Sequence, residues 1–175
     1  SSDLRQPHRP MGVLSGVREN GGQYTHGAVW LALACFRLGM PEEGRDILTA
    51  LLPERRDSSV YRAEPYVLAA DVYANPAHLG RGGWSWYTGA AGWFYRTAMQ
   101  ELLGLRLRAG RLFVEPVLPA AWPGFSAVWR LERAVLHITV ERGPEKHSLL
   151  DGRPLRDGVE LERLSGEHRL VVTIL

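Results

Sequence analysis

The spacing of apolar residues along this chain changes once, near residues 105 to 110, and that change limits the fold more than any other feature. Before it, apolar side chains recur at helical intervals. In HGAVWLALACFRLG (26–39), Val29, Trp30, Leu33 and Phe36 fall on one helical face, and Gly39 supplies a stop. Pro41 opens a second predicted helix, PEEGRDILTALLP, with Glu42 and Glu43 in its first turn, where the helix dipole favours acids. Its apolar face is Ile47, Leu48, Leu51 and Leu52. A third helix is predicted over YVLAADVYA (66–74), after Pro65, and a fourth from Thr88 to Leu103, stopped by Gly104. Past the change, RLFVEPVLP, FSAVWRLERAVLHITVER, HSLLDGRPL and HRLVVTIL are rich in β-branched and aromatic residues that alternate with period two. Asp151-Gly152 and Asp157-Gly158 read as hairpin turns. The implied class is α+β, with helices in residues 1–108 and a small antiparallel β region in residues 109–175.

Composition excludes several functions. The 21 basic residues, nearly all Arg, are interspersed with 19 acidic ones for a net charge of +2, so no basic stripe points to nucleic acid. No apolar run reaches spanning length, and the opening SSDLRQPHRP is polar, so this segment is expected to make no membrane contact. The one cysteine, Cys35, sits in an apolar run without an electropositive setting and reads as a buried structural thiol. A single cysteine rules out an internal disulfide and fits a reducing, cytoplasmic setting. No His/Cys/Asp cluster has metal-ligand spacing, so no metal is expected. The chain opens without a methionine and reads as a piece of something longer.

The least ordinary stretch is GRGGWSWYTGAAGW (80–93), which crowds glycines and tryptophans around Thr88. A helix starting with Thr88 as N-cap, followed by Gly89, offers a hydroxyl, open backbone N–H groups and the positive end of the dipole. Those groups suit an anion, although a threonine that only caps the helix explains the same residues. Trp84 and Trp86, two apart in a loop, suit either a sugar platform or packing at the rim of the helices; Trp93, inside the helix, reads as core. A second glycine loop, RENGGQYTH (18–26), places His26 at the start of the first helix. If both helix starts face one space, His26 and Thr88-Gly89 share an anion; otherwise His26 is a surface or capping residue.

Taken in order, RENGGQYTHGAVW, YRAEPYVLAADVY and GRGGWSWYTGAAGWFYR resemble glycoside hydrolase family 94, the inverting sugar phosphorylases. The likeness is nearest to the β-1,2-glucan branch of that family, the cyclic β-1,2-glucan synthases and β-1,2-oligoglucan phosphorylases. WPGF (122–125) and LDGRPL (150–155) extend it toward the C-terminus. The resemblance implies the C-terminal part of an (α/α)6 barrel, about four helices, followed by the β region. It also implies cleavage of a β-glucosidic bond by inorganic phosphate, a co-substrate rather than a cofactor, to give α-glucose 1-phosphate.

Position by position, the resemblance assigns phosphate to His26, Thr88 and Gly89, and sugar hydroxyls to Glu19. It places Glu64 and Tyr66 in the EPY motif beside the sugar, with Trp84 and Trp86 as its aromatic walls. Family disaccharide phosphorylases carry a glutamine shortly after EPY; here the region reads LAADVYA. That departure points to a glucan substrate and leaves Asp71 as a candidate substitute, against a solvated or helix-capping role. The family's general-acid aspartate lies upstream of ENGG, and Asp3 is too near His26 to be that acid. No catalytic residue is therefore expected in this chain, which should be inactive without the upstream part of its own polypeptide. The expected partners are a β-glucan oligosaccharide and phosphate, with a homodimer compatible. The alternative is a glucan-binding or structural remnant of such an enzyme.

Overall fold

The structure, a computed structural model, describes residues 14–86 and 88–175. In chain order it runs β1 (Gln23–Tyr24), α1 (Thr25–Arg37), α2 (Pro41–Leu51), α3 (Ser58–Tyr61), β2 (Asp71–Val72), β3 (Gly82–Gly83) and α4 (Thr88–Arg96). A π-helical segment (Thr97–Leu102) continues α4. The strands β4 (Leu105–Arg108), β5 (Arg111–Val114), β6 (Gly124–Arg130), β7 (Ala134–Arg142), β8 (His147–Leu150), β9 (Arg153–Pro154), β10 (Val159–Glu160) and β11 (Gly166–Ile174) complete the chain. Helices followed by strands make the class α+β. The chain forms two compact units, one holding residues up to Leu38 with Glu43–Thr97, the other Gly39–Glu42 with Ala98–Leu175.

In the first unit, α1 buries Val29, Ala32, Cys35 and Phe36. Trp30, expected on that face, is 53% exposed. The buried stripe is therefore rotated by one residue, and Trp30 projects beside His26 instead. Helix α2 begins at Pro41 as predicted and buries Leu48 and Leu51. The next helix is not the one predicted. It is the single turn α3, capped by Asp57, whose carboxylate accepts from the Ser59 N–H at 2.9 Å.

Residues 66–74, predicted helical, form no helix. Ala70 donates its N–H to the Trp84 carbonyl at 3.1 Å and accepts from the Thr25 N–H at 2.9 Å, both sideways. Those partners replace the intrahelical ones, so lateral pairing overrides the helix preference of Ala69 and Ala70. The result is a three-stranded sheet in the order β1-β2-β3.

The fourth helix also differs. It is α-helical only to Arg96; Leu103 then bonds back to the Ala98 carbonyl at 2.9 Å, the wider spacing of a π-helix. The widening is matched by Arg106, which donates to the Gln100 carbonyl at 2.8 Å and to the buried Glu101 carboxylate at 2.7 Å. Gly104 ends the segment with φ +67°, and a Cβ there would stand 2.1 Å from the Glu115 carbonyl carbon. Only glycine fits that stop.

The second unit holds a five-stranded sheet, β6-β7-β11-β8-β9, and a three-stranded one, β10-β5-β4. Strand β7 alternates as predicted, with Ala134, Leu136, Ile138 and Val140 buried. The pairing is antiparallel as expected apart from β7 and β11, which run parallel over nine residues. Asp151-Gly152 makes the β8–β9 hairpin, both residues with positive φ. Asp157-Gly158 instead links strands of different sheets. Ala109-Gly110, not singled out from the sequence, turns β4 into β5 with φ values of +48° and +75°. Past α4, the first strand begins at Leu105, within the interval of residues 105 to 110 where the apolar spacing changes.

Candidate functional site

The three sequence motifs meet because each supplies one strand of the small sheet. Tyr24, Asp71 and Gly83 stand in one row across it, and Gln23, Val72 and Gly82 in the next. Strands of two residues give little stability alone. Their effect is to fix where the three following or preceding loops begin.

His26 follows β1 and lies in the first turn of α1. It is half-buried, and its Nε2 is buried without a hydrogen-bond partner in the structure. Trp30, one helical turn on, meets the imidazole edge-on at 4.7 Å between ring centres. Trp93 of α4 stands 6.1 Å from it and 5.7 Å from Trp30. Trp93 is half-buried, not core as expected, with the Arg96 guanidinium 4.8 Å from its ring centre. The start of α4 reaches the same place: a Cβ on Gly89 would stand 3.8 Å from His26 Nδ1. Thr88 is the first helical residue of α4 rather than its cap, and it enters through its backbone; the role expected for its hydroxyl lies outside the described atoms. An imidazole whose Nδ1 edge faces the first turn of a helix, where backbone N–H groups lack intrahelical partners, fits an anion with several acceptor oxygens.

The second cluster surrounds Glu19. The Val17–Asn20 turn closes by a bridge, with Arg18 at φ +49°. Glu19 is exposed, 3.7 Å from Arg18 Nε, and the Arg18 guanidinium lies 5.0 Å from the centre of the Trp84 ring. Asp71 is neither solvated nor a helix cap. It is fully buried in β2, with Oδ2 accepting from the Arg18 backbone N–H at 2.8 Å. Burial raises its carboxyl above the ordinary aspartate range, against the lowering effect of the Arg18 N–H. Complete burial removes it from contact with any sugar, so the substitute role considered for it does not hold.

The third cluster joins Glu64, Tyr66 and Trp86. The Trp86 indole N–H donates to Glu64 Oε1 at 2.9 Å, and the Tyr66 ring stands edge-on to Trp86 at 6.2 Å. Glu64's own backbone N–H, then the indole, hold its carboxyl below the ordinary glutamate range. Trp84 and Trp86 are 55% and 66% exposed in this chain. Both have positive φ, at +53° and +66°, a conformation uncommon for bulky residues and concentrated at functional sites.

All eight sequence-predicted positions therefore fall in the first unit, in three clusters anchored by one sheet. Sequence reasoning missed Arg18 and Trp30. Trp30 lies four residues after His26, the spacing that puts two side chains on one helix face. Among the described residues no group of three His, Cys, Asp or Glu could hold a metal, and no helix is long and apolar enough to cross a membrane.

Residues 5–104 match the family model of the glycosyl hydrolase 94 superfamily, catalytic domain. The chain belongs to that superfamily. It is 48% identical over 132 residues to cyclic beta-(1,2)-glucan synthase NdvB of Rhizobium meliloti (strain 1021), covering 73% of this chain and 5% of that protein. It is 28% identical over 170 residues to N,N'-diacetylchitobiose phosphorylase of Vibrio proteolyticus, covering 93% of this chain and 21% of the relative. Solabiose phosphorylase of Paenibacillus borealis is 30% identical over 157 residues, covering 87% and 20%. The chain spans about a fifth of these phosphorylases and a far smaller share of the synthase.

Proposed function

We propose that the chain is the C-terminal part of an inverting carbohydrate phosphorylase that cleaves β-glucosidic bonds, β-1,2-glucan in particular, and releases α-glucose 1-phosphate. The observation that carries this reading is the position of Gly89, at the start of α4, next to His26, where an added Cβ would stand 3.8 Å from His26 Nδ1. A hydrolase that inverts needs one carboxylic acid for the leaving oxygen and one base for water. Phosphate is already an anionic nucleophile, so the base is unnecessary and the protein's task is to hold it under the anomeric carbon. Here the His26 imidazole, through the Nδ1 edge that faces Gly89, and the N–H groups at the start of α4 take its oxygens. Glu19 and Glu64 accept from sugar hydroxyls, and the Trp84 and Trp86 faces lie against the rings. The reading assigns the general acid, and the helices that complete an (α/α)6 barrel, to other parts of the polypeptide. The 48% identity to a β-1,2-glucan synthase supports the linkage. The one buried thiol, Cys35, fits a reducing compartment such as the cytoplasm.

The test is calorimetric titration of the folded chain with inorganic phosphate. His26→Ala removes one charge-assisted partner and is expected to weaken phosphate about tenfold while oligosaccharide affinity holds. Gly89→Ala, whose added methyl has room for the fold, provides a second variant. Unchanged phosphate affinity in both folded variants rejects the phosphate assignment. A second reading, a glucan-binding part without catalysis, is favoured by the exposed tryptophans. It gains if oligosaccharide binds and phosphate does not.

A further inference from the structure

We propose that Asp71 is a positioning residue whose ionised carboxylate holds the Arg18–Glu19 turn in place, and whose protonation releases that turn. The inference rests on the reading above only for what the turn then binds. Asp71 lies in the middle strand of the motif sheet, fully buried, with each oxygen in a different situation. Oδ2 accepts from the N–H of Arg18, fifty-three residues away in sequence and in the left-handed conformation, whose carbonyl in turn accepts from the Gly22 N–H at 2.9 Å. Oδ1 is buried with no hydrogen-bond partner in the structure. On the β3 side there is only Gly83. A Cβ there would meet Oδ1 at 2.6 Å and the Tyr73 hydroxyl at 2.8 Å, so glycine leaves space for the carboxylate, and the Tyr73 hydroxyl stands nearby without a hydrogen bond to Oδ1.

The groups around Asp71 set the sign. From the turn, Arg18 favours its ionised form and Glu19 opposes it. From β1 its row partner is Tyr24, from the end of β2 the nearby hydroxyl is Tyr73, and β3 contributes no side chain at Gly83. Desolvation outweighs the favourable partners, so the carboxyl titrates above the ordinary aspartate range. The ionised form thus grips the Arg18 N–H at a cost to the fold. A proton taken from solvent relieves that cost and turns a charge-assisted hydrogen bond into a weaker neutral one. Arg18 stacks on Trp84, and Glu19 follows it, so both move with the turn.

Backbone and side-chain carboxyl NMR of the full chain across the carboxylate and histidine range tests this. The Arg18 and Glu19 amides are expected to titrate with the same midpoint as the Asp71 carboxyl carbon, above that of an ordinary aspartate, and Asp71→Asn is expected to abolish the shift. Different midpoints for Arg18 and Asp71 overturn the proposal, and this comparison needs only wild type if the variant does not fold. So does an Arg18 titration that persists in folded Asp71→Asn. In parallel, a β-1,2-glucan oligosaccharide is expected to bind about tenfold more weakly as pH falls through that midpoint. Asp71→Asn is expected to bind it weakly with that pH step removed. An equal pH step in both proteins assigns it to another group and overturns the role in binding. A chain that binds no oligosaccharide at any pH while Arg18 and Asp71 titrate together rejects the glucan reading and supports the switch.

Discussion

The two sheets at the heart of the two units are built by opposite means. Strands β7 and β11 pair over nine residues, and their inward side chains are Leu136, Ile138, Val140, Leu170 and Val172, all buried. The motif sheet pairs two residues per strand, and its central side chain is a carboxylate. Around it cluster three bulky or charged residues at positive φ, Arg18, Trp84 and Trp86, and buried atoms without hydrogen-bond partners, among them Gln23 Oε1, His26 Nε2 and Asp71 Oδ1. One sheet gains stability from repetition. The other spends conformational strain and unsatisfied polarity to bring chosen side chains to fixed places, which is what binding sites require.

That contrast predicts which substitutions hurt and where. The largest effect is expected in the regular sheet: Leu136→Ala removes a fully buried side chain from the centre of β7 and should cost about 2–5 kcal/mol. Thermal unfolding would show the loss, and hydrogen exchange would place it in β6, β7 and β11. Protection lost equally across the motif sheet would mean that the two units unfold as one. Next comes Gly83→Ala, whose methyl would stand 2.4 Å from a Tyr73 ring carbon and 2.6 Å from Asp71 Oδ1. Overpacking of this kind costs about 1–3 kcal/mol. The change should loosen the Arg18 and Trp84 loops while the exchange of β7 and β11 amides stays as in wild type. A Gly83→Ala chain with unaltered Arg18 and Asp71 signals would show that the row Tyr24–Asp71–Gly83 is less tightly packed than its distances state.

The same contrast explains what could be read from the sequence. The alternation of β7 and the Asp151-Gly152 hairpin were legible because periodicity and turn chemistry act locally. The stretch at 66–74 was not. Its alanines favour a helix, and only partners 45 and 14 residues from Ala70, Thr25 and Trp84, make it extended. The π-helical turn was hidden for a related reason, since it depends on Arg106 reaching back to Gln100 and Glu101. The parallel pairing of β7 with β11 is likewise a matter of which strand lies beside which. The site positions were visible by motif rather than by period, with the companions Arg18 and Trp30 left out. Asp71 was seen and misjudged, because exposure of an aspartate is the usual case and its burial is a tertiary fact.

The smallest expected effect sets the two units against each other most directly. Each contains a backbone N–H donating to an aspartate at 2.8 Å: Arg18 to Asp71 in the motif sheet, and Arg169 to Asp151 at the β8–β9 hairpin. Asp151 is exposed, and His168 Nδ1 lies 2.7 Å from its other oxygen. The His168 hydrogen bond first, then the Arg169 N–H, hold the Asp151 carboxyl below the ordinary range. The signs are therefore opposite. Stability linked to Asp151 is present above the ordinary aspartate pKa and is lost as pH falls through its lowered value. Stability linked to Asp71 is complete below the ordinary aspartate pKa and is lost as pH rises through its raised one. In one NMR titration the Arg169 amide should shift at lower pH than an ordinary aspartate and the Arg18 amide at higher pH. His168→Ala should move the Arg169 midpoint upward and leave Arg18 where it was. Identical midpoints for the two amides would show that burial at Asp71 does not dominate its hydrogen bond. The distinction drawn between the two sheets would then have to rest on packing alone.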